Sequence, residues 1–176
     1  HRHRRGGADG RLARAGGTWG IYFRDLETGE TIERDARRLF HAASTMKLLV
    51  LMKVHRDLED EKYRLDDEIP VHDTFPGAVG GQFRTDPEAP AVREAVGKSM
   101  RIRDLLECMI VASDNLATNV LIEKAGGPRA VTEHARLHGL ERTTVARYIM
   151  DEKAFEAGLS SRAEPREMGL LLEKLW

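Results

Sequence analysis

An α/β protein of the α+β type is what this sequence predicts: a helical subdomain with an antiparallel hairpin near its N-terminus. Three observations carry that expectation. The run "TWGIYFRDL" (18–26) is rich in aromatic and β-branched residues, and "TIERDA" (31–36) follows it across a Gly-containing "ETGE" turn. Most of the remaining chain carries apolar residues at helical rather than strand spacing. The 176 residues, 41% apolar and 32% charged, suit one domain with a sizeable core rather than a disordered chain.

Residues 8–15 suit a short helix ending at Gly16-Gly17, so residues 1–17 read as a tail with a short helix and 18–176 as the domain. Two strands alone are marginal in water, so the 18–36 hairpin requires a larger sheet or a covering helix. From Ser44 to about residue 59 a helix is predicted, capped by the serine and apolar nearly all round through Met46, Leu48, Leu49, Val50, Leu51, Met52 and Val54. The segment 70–90 is so rich in Gly and Pro that no regular structure is expected there. Helices are predicted over 101–113, with Leu105, Leu106, Met109 and Ile110 on one face, and over 115–127, stopped by Gly126-Gly127. Another follows over 128–140, with Pro128 in its first turn. A less regular stretch (141–160) precedes a final helix that has Pro165 near its start.

Charge and composition exclude several classes. Formal net charge is −1, from 28 basic and 29 acidic residues, which argues against a general nucleic-acid binder. Arg2, Arg4 and Arg5 cluster at the start, where a short basic tail reads as a disordered beginning or an expression remnant. Cys108 is the single cysteine; its apolar helical face suits a small buried hydrophobe, and the compartment stays open. No run is long and apolar enough to span a membrane, and no signal-peptide pattern opens the chain; an exported protein in mature form would look the same. His55, His72, His134 and His138 show no metal-site clustering, and no cofactor is expected. Phe75 and Phe83 suit either a site entrance or a packed loop anchor.

The chemistry concentrates in "FHAASTMKLLVLMKV" (40–54), where Ser44 and Lys47 stand three apart. On a helix they share a face. A serine hydroxyl is a weak nucleophile until a base takes its proton, and a desolvated lysine with a lowered pKa can be that base. A helix cap with a snorkelling lysine explains the same two residues, and Ser-x-x-Lys occurs by chance in many helices. His41, close to the serine, reads as a residue packed beside the helix. Further on, "MIVASDNLATNVL" sets Ser113, Asp114 and Asn115 between two apolar segments, as an inter-helix turn would.

Together, Ser-x-x-Lys and a downstream Ser-Asp-Asn resemble the motif pair of penicillin-recognising serine enzymes. The stretches "FHAASTMKLLVLMKV", "DDEIPV", "GKSMRIRDLLECMIVASDNLATNVLIEKAGG", the Arg147 segment and "EPREMGLLLEKL" are similar, in order and spacing, to class A serine β-lactamases from about residue 18 onward. The resemblance implies a β-lactamase/transpeptidase-like fold and a β-lactam or acyl-peptide substrate. It also implies export to the periplasm, cell envelope or medium. Ser44 would attack the lactam carbonyl, with its own N–H forming half of the oxyanion hole. Lys47 would be the acylation base or part of a relay, and Ser113 would pass a proton to the departing nitrogen. Asn115 would hydrogen-bond the substrate's amide side chain and the lysine. Asp114 and Arg147 would hold the surrounding loops.

The sequence departs from that family at two places. Two residues after Arg147, where the family carries a water-activating glutamate, stands Ile149. Asp151 and Glu152 lie near enough to be considered as substitutes. The family's Lys-Thr-Gly strand motif is not found in the 176 residues, and the resemblance leads one to expect three further strands, in a longer chain or in a second one, to complete the sheet. The expectation is a β-lactamase-like serine acyl enzyme whose deacylation is doubtful and whose isolated 176-residue chain is not a competent hydrolase. A slow-releasing penicillin-binding or peptidase-like protein, or a non-catalytic partner-binding fragment, are the alternatives.

Overall fold

The computed structural model describes residues 14–175, which group into two compact units. One unit joins the chain up to Arg38 with the chain from Glu164 onward; the other is Leu39–Ala163. Most of the helix expected over 8–15 lies outside the described residues, although Arg14 and Ala15 are helical.

In the first unit, β1 (Ile21–Arg24) and β2 (Thr31–Arg34) form the expected antiparallel hairpin, with Phe23 opposite Ile32. Asp25 starts the turn: its Oδ1 accepts the N–H groups of Glu27 and Thr28, both at 2.9 Å, while Gly29 takes the positive φ of 72°. The C-terminal helix, Pro165–Leu175, lies against β1 and supplies the cover a two-stranded ribbon needs. Gly169 permits the approach, because a Cβ there would stand 2.1 Å from Cδ1 of Tyr22.

The second unit is mostly helical. A 3-10 turn (Ala43–Met46) leads into α1 (Lys47–Glu59). Then come α2 (Pro90–Ala95), α3 (Ile102–Val111), α4 (Asn115–Lys124), α5 (Gly127–Leu137) and α6 (Glu152–Glu156), so the C-terminal helix is α7. Helix α1 packs against α3, α4 and α5, and the core between them holds Leu49, Val50, Val54, Leu105, Met109, Leu121 and Val131, all at 0% exposure. Each such side chain contributes roughly 1.5–3 kcal/mol over its exposed state. Asp57 is also buried, and survives because Lys53 and Lys62 both donate to its carboxylate.

Three sequence expectations are corrected here. Ser44 does not cap a helix: it sits within the 3-10 turn, and α1 begins at Lys47 with no side-chain cap. The Gly/Pro-rich segment is also more regular than its composition suggests. β4 (Glu68–Pro70) pairs with β7 (Ser99–Arg101), and β5 (Thr74–Pro76) pairs with β6 (Gln82–Arg84). The glycines close this second hairpin, Gly77 N–H donating to Gly81 O at 3.0 Å, and its strands are too short to show periodicity. Phe75 is fully buried opposite Phe83, which makes it a packed anchor. Cys108 is half-buried rather than buried. Finally β3 (Phe40–His41) pairs with β8 (Arg162–Ala163), and Ala42 N–H donates to Ser161 O at 2.9 Å, which ties down the chain just before Ser44.

Candidate active site

Ser44 reaches the surface because Ala43 turns the chain. Ala43 has φ 45°, a left-handed conformation that a residue with a Cβ seldom adopts. Ser113, at the turn between α3 and α4, has φ 54°, and Met150 has φ 68°. Three of the five described non-glycine residues with positive φ therefore border one place, and strained backbone of this kind persists where surrounding contacts over-determine it.

Those contacts are visible. Asp114 is fully buried and caps α4: Oδ1 accepts from Ala117 N at 2.7 Å, and Oδ2 accepts from Glu88 N and Ala89 N at 2.8 and 2.7 Å. One carboxylate thus fixes the Ser113 turn and the 88–89 backbone together. Lys47, 3% exposed, extends from the first position of α1 to this turn. Its ammonium donates to Ser113 O, to Ser113 Oγ at 2.9 Å and to Asn115 Oδ1 at 3.0 Å. Ser113 Oγ in turn donates to Ser44 Oγ at 3.1 Å. The path from lysine to exposed serine therefore runs through Ser113, the relay geometry rather than the direct contact that sharing a helix face would allow.

Electrostatics act on Lys47 in both directions. Burial pushes the ammonium below its ordinary pKa, and the carboxylates of Glu88 and Asp114 resist that shift; burial prevails.

Glu88 was not singled out by sequence reasoning. Its carboxylate accepts from Asn115 N at 2.7 Å and from Asn115 Nδ2 at 2.6 Å. The orientation of the Asn115 amide is thereby settled, since the Glu88 carboxylate can only accept and so takes Nδ2, which leaves Oδ1 for Lys47. Asn119 was also missed. Fully buried one turn along α4, it grips the backbone of Ile149, accepting from its N–H at 2.8 Å and donating to its carbonyl at 2.9 Å. A second asparagine, set among Leu116, Val120, Leu121 and Ile122 in "NLATNVLIEK", was the available signal.

A cavity of about 350 Å³ opens over the serine, lined by Ser44, Asn115, Arg147, Ile149 and Glu152 among others. Asp151 does not point free into it. The side chain is 2% exposed and caps α6, its oxygens accepting from Ala154 N and from Ala78 N at 3.2 and 2.8 Å. Glu152 lies on the rim, shared with a second cavity. Arg147 donates to the carbonyls of Leu159 and Tyr148 at 2.8 and 3.0 Å, bracing the 147–159 loop, and burial lowers its pKa. His41 bonds Ser160 Oγ through Nδ1 at 2.7 Å.

A helical subdomain that presents an exposed serine, hydrogen-bonded through a second serine to a buried lysine, defines the candidate site. The model of the "Beta-lactamase enzyme family" matches residues 9–176, and the chain belongs to that family. It is 32% identical over 168 residues to a beta-lactamase of Streptomyces albus G, covering 92% of this chain and 52% of the relative. An ancestral (GNCA) class A beta-lactamase structure is similar at a TM-score of 0.75 and 29% identity, over 93% of this chain and 60% of that one. A PBP-A variant solved as an acyl-enzyme complex with penicillin-G is similar at a TM-score of 0.71 and 25% identity, over 89% of this chain and 54% of that one. The chain spans about half the length of the curated relatives it matches. Among the described residues no helix is long and apolar enough to cross a membrane.

Proposed function

We propose that this chain carries the attacking half of a β-lactam-reactive serine enzyme, acylated at Ser44 and slow to release the acyl group. The hydrogen-bonded path Lys47–Ser113–Ser44 carries the reading. With Lys47 neutral, the path runs in reverse. Ser44 gives its proton to Ser113 Oγ, Ser113 passes one to Lys47 Nζ, and the Ser44 oxygen adds to the lactam carbonyl. When the tetrahedral adduct collapses and the lactam C–N bond breaks, the lysine's proton returns through Ser113 to the departing nitrogen. The relay is therefore proton-neutral over acylation.

Slow release is supported by what faces the ester. Ile149 offers no base, and its backbone is clamped by Asn119. Asp151 has both oxygens engaged by backbone N–H groups, so its role here is to hold the loop. Glu152 stands at the exposed rim.

Intact-mass measurement after incubation with benzylpenicillin tests the proposal. A long-lived adduct mapped to Ser44 is expected, absent in Ser44→Ala and shorter-lived in Ile149→Glu. Fast turnover by the natural sequence would remove the slow-release half. No adduct at all would leave a non-catalytic protein.

A further inference from the structure

We infer that Glu88 sets the acyl-group preference of this site, favouring lactams that carry a free amine, rather than an acylamino carbonyl, beside the lactam ring. The inference rests on the acyl-enzyme reading at Ser44 and deepens it.

Asn115 is the residue beside Ser44 and Ser113 that offers a side-chain amide to the cavity. An amide of this kind serves a substrate carbonyl best when its Nδ2 protons are free. Here they are not both free. Oδ1 is taken by Lys47 at 3.0 Å, and Nδ2 donates to Glu88 Oε1 at 2.6 Å, a short charge-assisted bond. The second oxygen of Glu88 holds the Asn115 N–H at 2.7 Å, so the carboxylate cannot swing away without breaking two bonds.

A carbonyl accepting the remaining Nδ2 proton would place its oxygen about 5 Å from a carboxylate oxygen, from the geometry of two hydrogen bonds on one planar amine. Acceptor and anion repel at that distance, whereas an amine or ammonium is attracted. Glu152 adds a second carboxylate: it lines both the cavity over Ser44 and the neighbouring cavity of about 520 Å³, which Glu88 also lines. Met150 is shared by the same two cavities; Arg147 in the first and Arg84 and Lys153 in the second balance their acids, so the discriminating charge is the Glu88 carboxylate held on the Asn115 amide.

The Glu88 backbone is held independently of its side chain, because Asp114 accepts the N–H groups of Glu88 and Ala89. Substitution of the carboxylate therefore leaves the loop anchored.

The experiment compares acylation of Ser44, followed by mass, with 6-aminopenicillanic acid (a free amine beside the lactam) and benzylpenicillin (an acylamino carbonyl there). The natural protein is set against Glu88→Ala and Glu88→Gln. The ratio of second-order acylation constants, amine over acylamide, is expected to fall by about fivefold in Glu88→Ala, the scale of an exposed ionic contact. It should fall in the same direction in Glu88→Gln, with benzylpenicillin gaining in absolute rate. A ratio unchanged in both variants overturns the inference while leaving Ser44 acylation intact. An equal loss for both lactams also overturns it, since that marks a structural role. Absence of any Ser44 adduct, even in the natural protein, overturns the acyl-enzyme reading and this inference with it.

Discussion

Ser44 and Lys47 are separated by one turn in the sequence, yet the bonds that join them pass through Ser113, contributed by a different pair of helices. The residue types were legible because motif residues keep fixed local spacing. Glu88 was not, because nothing in "TDPEAP" distinguishes a functional acid from a solvated loop acid until α4 is folded beside it. Its charge has a measurable consequence for Lys47. The relay needs the neutral amine, so the acylation rate should rise with pH and level off above the Lys47 pKa. Burial places that pKa below the ordinary lysine value of 10.5, against the pull of Glu88 and Asp114. The midpoint of the rise, measured by stopped-flow acylation, is expected below 10.5, and lower still in Glu88→Gln, which removes one of the two opposing charges. A midpoint that moves up in Glu88→Gln would contradict this assignment of causes.

At the scale of elements, the long helices were readable from apolar spacing and from the Gly and Pro that bound them, as in α5, which follows Gly126 and carries Pro128 in its first turn. The three-residue strands of β5 and β6 were not readable, since two alternating positions fall within any composition. Pairing across the chain was equally hidden: β3 and β8 are two residues each, and their register is set by tertiary contact. The hairpin's need for cover was legible, but the choice of α7 was not. It depends on Gly169, whose missing Cβ makes room for the Tyr22 ring. Gly169→Ala should therefore destabilise the β1–β2–α7 unit by about 1–3 kcal/mol, because a clash with a ring outweighs the roughly 1 kcal/mol that alanine adds to helix propensity. Hydrogen exchange at the β1 and β2 amides is the readout, and the change should accelerate it. In a Tyr22→Leu background the same substitution should cost less or become neutral. An equal cost in both backgrounds would show that the ring is not what Gly169 accommodates.

For the helical unit as a whole, stability against acid gathers where α1 and α5 meet. His134 on α5 is 7% exposed, its Nε2 has no hydrogen-bond partner, and its ring stands edge-on to His138 at 4.7 Å. Burial foremost, then the neighbouring His138, Lys53 and Arg56, lower its pKa below the ordinary 6.5, with Asp57 opposing. Asp57 on α1 is shifted in the same direction: burial alone would raise its pKa, but hydrogen bonds and charge from Lys53 and Lys62 outweigh that and lower it below 3.8. The sign follows from proton counting. In each case the unfolded chain binds a proton before the folded chain does, so stability falls with pH once the unfolded group titrates. His134 contributes its full share above about pH 6.5 and loses it progressively below, down to its folded pKa; Asp57 does the same from about 3.8 downward. Acid unfolding should accordingly begin in the histidine range, well before the carboxylates protonate. His134→Leu keeps an apolar filling for the site and removes the first step. Urea midpoints at pH 8 and pH 5.5 should differ more in the natural protein than in the variant, while the difference below pH 4 should persist in both. If the two proteins lose stability equally between pH 8 and 5.5, the acid sensitivity lies elsewhere than in this buried ring.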